Sequence, residues 1–348
     1  MREDRRAGLH LAVRAPNWVG DLVMATPVLE AAAADPRFAR VTILVRAHLA
    51  ALLAEGPCAP RMRPIAPSED ETAVLRELGP GAILLLGNSL GSAWRAFRAG
   101  IPVRAGAALH GRGPLLTHRV LPPSRFGRRA PIPTAHFQRD AAGLLGILVP
   151  SLRPRLRFGP ETAAAARALL AEAGLAPGAP YVLCSPSAAF GAAKLWPPEH
   201  FAAVLDRLHA ARGWRAVVTG GPGEEREIEA VRRACRHPAI GLAGARRDLA
   251  TLKPLVAGAR LLLVGDSGPR WVAAAFGVPC VTVMGPNYPQ LTATSLERCA
   301  VVRREDLDCS PCAERICPPE HHRCLRELAP DRVVEAAERL LAAEGTPC

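Results

Sequence analysis

Apolar and polar residues alternate early in the chain. Leu9, Leu11 and Val13 fall on one side, which predicts a strand over residues 9–15. A helix is expected from Gly20 to Asp35 and a second strand over Val41–Val45. An all-apolar run, Ala82–Leu86, reads as a strand buried on both faces. Helical runs over 47–55 and 70–78 separate these strands, giving a βαβαβ-like order, and another helix is expected over 137–148. Residues 150–180 carry Pro150, Pro154, Pro160, Pro177 and Pro180 around a helix over 161–174, the signature of an interdomain connection.

The second half restarts the pattern. Strands are predicted over Tyr181–Cys184, Arg215–Thr219, Leu261–Val264 and Val278–Met284, alternating with helices over Pro198–Arg212, Glu224–Cys235 and Pro269–Phe276. A last helix is expected over Asp331–Ala343. Strands alternating with helices imply parallel sheets, so the expected class is α/β, with two Rossmann-like domains facing one cleft. The expected division is residues 1–157, a connection over 158–180, a second domain over 181–330, and a C-terminal helix and tail over 331–348.

The composition supports two cores: 49% of residues are apolar and only 4% aromatic. No run approaches the ~20 apolar residues of a membrane-spanning helix. Arg14 interrupts the apolar run near the N-terminus, so a secretory signal is not expected and the expected compartment is the cytosol. The net charge is +12, and residues 1–150 hold 19 Arg, no Lys and 11 acids. Arg112, Arg119, Arg125, Arg128 and Arg129 lie in a Pro-rich segment that reads either as a solvated loop or as a surface for an anionic partner. Its single aromatic residue, Phe126, gives little basis for stacking on bases, and no nucleic-acid partner is expected. Lysine occurs only at 194 and 253, against 42 Arg, so a position that keeps Lys is a candidate for a compact ammonium.

Two strand-to-helix junctions carry the candidate chemistry. At the first, Asn17-Trp18-Val19-Gly20-Asp21, the Asp21 carboxylate is placed either as a general base or as a first-turn acid favoured by the helix dipole. At the second, Val264-Gly265-Asp266-Ser267-Gly268, backbone N–H groups of Ser267 and Gly268 can face phosphate while Asp266 takes sugar hydroxyls; an ordinary cap is the alternative. Ser185-Pro186-Ser187, followed by Lys194-Leu195-Trp196-Pro197, suits a diphosphate. The turn Gly220-Gly221-Pro222-Gly223 precedes Glu224 and Glu225, either of which can meet a ribose. Cys309, Cys312, Cys317 and Cys324, with His321 and His322 among them, are a conceivable zinc set. The spacing differs from paired knuckles and prolines crowd the loop, so reduced or redox-active thiols are favoured and no metal or cofactor is assigned.

In order along the chain, these residues resemble the heptosyltransferase branch of glycosyltransferase family 9. The resemblance rests on Arg14–Asp21 with Met24-Ala25-Thr26-Pro27, Asn88-Ser89-Leu90 with Ser92-Ala93, and Ala99-Gly100-Ile101-Pro102 with Arg104 and Gly106. Pro186–Phe190, Ala193-Lys194, Trp196-Pro197, Asp266-Ser267-Gly268, Gly285-Pro286 and Cys309-Ser310-Pro311-Cys312 with Cys317 continue it. It implies a GT-B fold, with inverting, metal-independent transfer from ADP-heptose to a heptose of the lipopolysaccharide inner core on a Kdo2-lipid A acceptor. It also implies peripheral contact with the inner face of the cytoplasmic membrane. On this likeness Asp21 is the base, and Asn17, Asn88, Ser89 and Arg104 serve the acceptor. Ser187 and Lys194 hold the diphosphate, and Asp266, Ser267 and Gly268 line the donor. The chain departs from the family at Trp271, where a histidine is usual; Trp271 is then expected to stack on the donor, or Arg270 to supply a cation. Two alternatives stay open: a transferase using another sugar or acceptor, and a non-catalytic nucleotide-sugar-binding homologue.

Overall fold

A computed structural model describes residues 8–342 apart from 126–127, 188–189 and 243–247, with the side chains of 125, 128 and 129 also outside the description. The chain forms two compact units, residues 1–157 with 290–294, and residues 158–289 with 295–348.

The first unit contains β1 (Leu9–Arg14), α1 (Val19–Ala34), β2 (Phe38–Arg46), a single-turn α2 (Ala50–Leu53), β3 (Met62–Ile65) and α3 (Glu71–Leu78). It continues with β4 (Ala82–Leu85), α4 (Leu90–Arg98), β5 (Val103–Ala107), β6 (His118–Val120), the two-residue strands β7 (Ser124–Arg125) and β8 (Arg128–Arg129), and α5 (Thr134–Gly143). Six strands make one parallel sheet in the order β3-β2-β1-β4-β5-β6, and β7 pairs only with β8. Parallel strands need covered faces, and the central β1 and β4 are apolar accordingly.

The second unit repeats the plan. It contains α6 (Pro160–Glu172), β9 (Tyr181–Ser185), α7 (Pro198–Arg212), β10 (Arg215–Thr219), α8 (Glu225–Ala234), β11 (Ile240–Leu242) and α9 (Leu249–Ala257). Then follow β12 (Leu261–Gly265), α10 (Pro269–Phe276), β13 (Cys280–Val283), β14 (Cys299–Val302), a short α11 (Arg323–Arg326) and α12 (Pro330–Ala342). Its sheet order is β11-β10-β9-β12-β13-β14, again parallel throughout. The final helix belongs to this core, with Val333, Ala336 and Ala337 joining Phe201, Val204 and Val218 in one apolar cluster. Among the described residues no helix is long and apolar enough to cross a membrane.

Local chemistry sets the element ends. Asp70 caps α3 by accepting from Thr72 N–H, and Gly79 ends it at φ 55°, a left-handed conformation that favours glycine. Ser89 caps α4 by accepting from Ser92 N–H. Within α1, Pro27 has no N–H for the Val23 carbonyl; the Thr26 hydroxyl donates to that oxygen at 2.8 Å and accepts from Arg155 N–H at 2.8 Å. The Thr-Pro pair is thus a repaired helix defect that also ties down the chain near its exit from this unit.

Several expected elements shift. The helical run over 47–55 is a 3₁₀ turn followed by α2 alone. The strands β3, β5, β6, β11 and β14 and the helices α4 and α9 were not predicted from periodicity. Arg112, read as part of a basic surface segment, is completely buried. Its guanidinium donates to the Ala107 carbonyl at 2.6 Å, the Gly87 carbonyl, the Leu85 carbonyl at 3.5 Å and Asn88 Oδ1 at 3.1 Å. Burial pushes its pKa down to about 10, still far above neutrality, so a charged fork ties the ends of β4 and β5 together. Replacing Arg112 by Leu removes the donor from two buried carbonyls and the half-buried Gly87 carbonyl and is expected to cost about 3 kcal/mol. A chemical-denaturation midpoint matching the wild type would refute that bracing role.

Candidate functional site

In each unit the strand order reverses between the first and fourth strands of the sheet. Crossovers on either side of that point go to opposite faces, leaving the carboxyl ends of the two strands open. In the first unit these are β1 and β4; in the second, β9 and β12. Each candidate junction from the sequence sits at one of these points.

The first unit holds a cavity of about 350 Å³ there, lined by Arg14, Asn17, Trp18, Asp21, Asn88 and His110 among others. Arg14 is the last residue of β1 and is buried. It forms an ion pair with Glu71 at 2.6 Å and donates to the Ala15 carbonyl at 2.6 Å and Asn17 Oδ1 at 2.9 Å. This orients the Asn17 amide from below. Asp21 is half-buried in the first turn of α1, whose N-terminal end favours a negative charge. Gln138 fixes that turn by donating to the Asp21 carbonyl at 3.1 Å. Asn88 lines the cavity with its Oδ1 accepting from Arg112. Ser89 lines it too, while capping α4.

Arg104 is not brought to this cavity. Its Nε donates to the Leu115 carbonyl at 2.7 Å, and its guanidinium lies 5.5 Å from the Phe97 ring centroid. Those contacts make it a brace at the start of β5. His110 is the residue that sequence reasoning missed: it is exposed, lines the cavity, and holds φ 50°, an uncommon backbone state for a non-glycine residue.

At the second reversal, Lys194 and Asp266 form an ion pair of 2.5 Å, each 9% exposed. Lys194 Nζ also reaches the Asp266 carbonyl at 3.4 Å and lies 4.5 Å from the centroid of Phe190. Asn287, absent from the sequence-derived set, donates from Nδ2 to Asp266 Oδ2 at 2.9 Å. The Ser187 and Ser267 hydroxyls are buried and have no hydrogen-bond partner among the described residues. A buried hydroxyl of that kind points to a missing partner. Ser267 N–H bonds to the Gly265 carbonyl at 2.7 Å, and Gly268 leads directly into α10.

Other donor-side expectations change. Glu224 turns back to accept from Gly221 N–H, and Glu225 accepts from Gly223 N–H at 3.3 Å, so both carboxylates close their own loop. Gly220 faces Ser187: a Cβ there would stand 3.3 Å from the Ser187 hydroxyl and 2.8 Å from a Glu224 oxygen. Trp271 is only 4% exposed, with the Arg270 guanidinium 4.5 Å from its ring centroid. That interior position corrects the expectation of a stacking surface for the donor. Arg270 is also buried and lies near Cys299, whose thiol is held below its usual range by the neighbouring Cys280 thiol and by the Arg270 charge. Arg270 thus keeps its cation in the interior beside Trp271 and Cys299.

The family model for glycosyltransferase family 9 (heptosyltransferase) matches residues 72–322. The chain belongs to glycosyltransferase family 9. Lipooligosaccharide heptosyltransferase 2 of Campylobacter jejuni is 29% identical over 160 residues, 45% of this chain and 50% of the relative, so this chain spans about half the length of that protein in the match. Lipooligosaccharide heptosyltransferase 2 of Haemophilus influenzae is 24% identical over 362 residues, 96% of this chain and 100% of the relative. The solved structure of E. coli ADP-heptose lipopolysaccharide heptosyltransferase II has a TM-score of 0.75 at 24% identity, covering 97% of this chain and 100% of its own. That likeness assigns the GT-B fold.

In this family 9 chain the cysteine-rich loop lies against the Lys194 segment. Cys309, Cys312, Cys317 and Cys324 line a cavity of about 130 Å³ with His321 and His322. Cys309 Sγ is 3.8 Å from His321 Nε2, and His322 N–H donates to Cys317 Sγ at 3.4 Å. No three such groups converge to hold a metal among the described residues. Burial, together with the neighbouring Cys317, Cys312 and Cys309, pushes the Cys324 thiol up to about 11. The loop's contacts are those of a brace: Ala193 N–H donates to the Arg315 carbonyl at 3.1 Å, and Ala313 N–H to the Pro286 carbonyl at 2.7 Å. It therefore supports both the segment bearing Lys194 and the turn bearing Asn287. Gly191 sits at φ 150°, and a Cβ there would come within 2.6 Å of the Arg315 carbonyl oxygen. Gly191→Ala is therefore expected to cost about 1–3 kcal/mol by pushing the Lys194 segment and the cysteine-rich loop apart. A thermal melt checks it; an unchanged melting temperature would show that the loop does not brace the Lys194 segment.

Proposed function

We propose that this chain is an inverting heptosyltransferase moving a heptose from ADP-heptose to a heptose of the lipopolysaccharide inner core on a Kdo2-lipid A acceptor. The observation that carries the reading is the second unit's reversal point, which holds Lys194, the start of α10, and buried hydroxyls at Ser187 and Ser267 that have no hydrogen-bond partner among the described residues. Hydroxyl donors, an ammonium and a helix start form a site for a diphosphate. Family membership, and the ADP-heptose named for the similar E. coli structure, supply the donor. On this reading residues 1–157 serve the acceptor, residues 158–180 connect, residues 181–330 hold the donor, and residues 331–348 complete the second domain. The working place is the cytoplasm, peripheral to the inner face of the cytoplasmic membrane.

The chemistry follows from charge. An acceptor hydroxyl attacks the anomeric carbon as its bond to the ADP oxygen breaks, inverting that centre. Asp21 takes the hydroxyl proton, and its place in the cavity among Asn17, Asn88 and His110 suits a sugar hydroxyl held by polar side chains. Lys194 offsets the negative charge that builds on departing ADP, the task a divalent cation performs in other transferases. Asp266, held by Lys194 and Asn287, is left to accept from a donor sugar hydroxyl.

One observation favours a second reading. The interior Trp271 stands where the family usually has histidine, so the donor sugar is less constrained and another nucleotide sugar fits the same site. Non-catalytic binding is the outcome left if neither turns over.

A mass-spectrometric transfer assay with ADP-heptose and mono-heptosylated Kdo2-lipid A tests the proposal. Product one heptose heavier is expected, undiminished by a chelator. Asp21→Asn should lower kcat about 100- to 10,000-fold while ADP affinity stays unchanged. Equal turnover in that variant would remove Asp21 as the base. Stronger thermal stabilisation by another nucleotide sugar would move the assignment to the second reading.

A further inference from the structure

We infer that α4 docks this protein on an anionic bilayer surface, with Leu90, Trp94 and Phe97 as the residues that enter the interface. The helix buries Ser92, Ala93 and Ala96 in the first unit. Its opposite face leaves Leu90 51%, Trp94 48% and Phe97 46% exposed. Positions i, i+4 and i+7 share one side of a helix, and the two rings lie 5.8 Å apart, so these three form a patch. Of the eight large apolar side chains exposed among the described residues, three stand on these nine positions. That concentration distinguishes the face from scattered surface apolar residues.

The charge around the patch selects the occupant. Helix α4 itself carries Arg95 and Arg98 and no Asp or Glu. Arg98 is exposed at the end of α4, with its guanidinium 5.9 Å from the Trp94 ring centroid, and Arg104 is 5.5 Å from the Phe97 centroid. Arg76 donates to the Arg98 carbonyl at 2.9 Å and adds a third guanidinium at that end. Aromatic rings beside the exposed Arg98 and Arg76 match the acyl–headgroup boundary, where rings enter the apolar side and cations meet lipid phosphates. A second copy of this chain would bring Arg98 and Arg76 against like charges, which argues against self-association through this face.

The helix links that surface to the candidate acceptor cavity. Ser89, its cap, and Ser92, on its first turn, line the cavity. A nine-residue helix is about 14 Å long, so docking at Trp94 and Phe97 holds the cavity near the bilayer. This purpose rests on the proposed acceptor being lipid-linked. With only three apolar side chains inserted, attachment is reversible and sensitive to salt.

The test is co-sedimentation of the full chain with vesicles of phosphatidylcholine alone or mixed with phosphatidylglycerol. Wild type is compared with Trp94→Ser/Phe97→Ser and with Arg98→Glu, and thermal melts confirm that each variant is folded. The inference expects binding to the anionic vesicles, release by high salt, and at least about tenfold weaker partitioning in both variants. A parallel assay uses delipidated, mono-heptosylated acceptor, on which both variants should turn over like wild type. Turnover with no vesicle binding, or with binding unaffected by the double variant, overturns the inference and leaves the proposed function standing. Vesicle binding without turnover fails the proposed function alone. A shift of the double variant to a smaller assembly in size-exclusion chromatography makes the face a contact between copies, and also overturns the inference.

Discussion

The reversal of winding within each parallel sheet is the constraint on which the rest of the structure depends. Every strand must be flanked, so helices cover both faces, and the change of face between β1 and β4, or β9 and β12, opens a gap at the strand ends. Backbone groups end there without ladder partners. Whatever follows β1, β4, β9 and β12 must satisfy them or use them. Arg14-Ala15-Pro16-Asn17, Leu86-Gly87-Asn88, Pro186-Ser187 and Asp266-Ser267-Gly268 are those followers. The two candidate sites are therefore consequences of topology before they are consequences of any one side chain.

Buried cations hold these followers in place, and the two kinds do different work. Arg14 and Arg112 use planar forks to reach several oxygens from one position, Glu71 and Asn17 in one case and a set of carbonyls in the other. Desolvating a guanidinium is costly, and the multiple charge-assisted hydrogen bonds offset that cost. Lys194 instead presents a point charge over Phe190, with Asp266 as its partner. A compact ammonium can exchange one oxygen partner for another with little rearrangement, which a multiply bound fork cannot. That contrast gives a physical reason for Lys in a chain that otherwise favours Arg.

The legible part of the sequence was what local pattern controls. The alternation of Leu9, Leu11 and Val13 marks β1 and an all-apolar run marks β4, and the motifs at the ends of β1 and β12 are read with the strands that precede them. Outlying strands carry weaker signals: β3 contains Pro64 and Arg63, while β5 reads Val-Arg-Ala-Gly-Ala. The helix α4 escaped notice because its apolar residues lie on both faces, and α9 because Lys253 and Pro254 interrupt it. Partnerships across long separations were invisible. Glu71 is 57 residues from Arg14, and Asn287 is 21 residues from Asp266. Arg112 misled for the same reason, since a run of arginines looks alike whether solvated or surrounded by carbonyls.

The stretch after Asp266-Ser267-Gly268 turns its large side chains into the interior. Pro269 suits the first turn of α10 because that position needs no donated N–H. With Trp271 and Arg270 turned inward, this turn contributes packing and an internal cation. The site's polar groups must then come from other elements: Lys194 and Ser187 after β9, Ser267 after β12, and Asn287 after β13. Three of these four rest against strand ends, and the cysteine-rich loop braces the segments bearing Lys194 and Asn287. On the proposed reading, diphosphate recognition does not depend on Trp271, because its donors follow β9 and β12 directly or are braced by the cysteine-rich loop. On the same reading sugar recognition is the part left free to change, because the first turn of α10 offers the donor no polar side chain at Trp271.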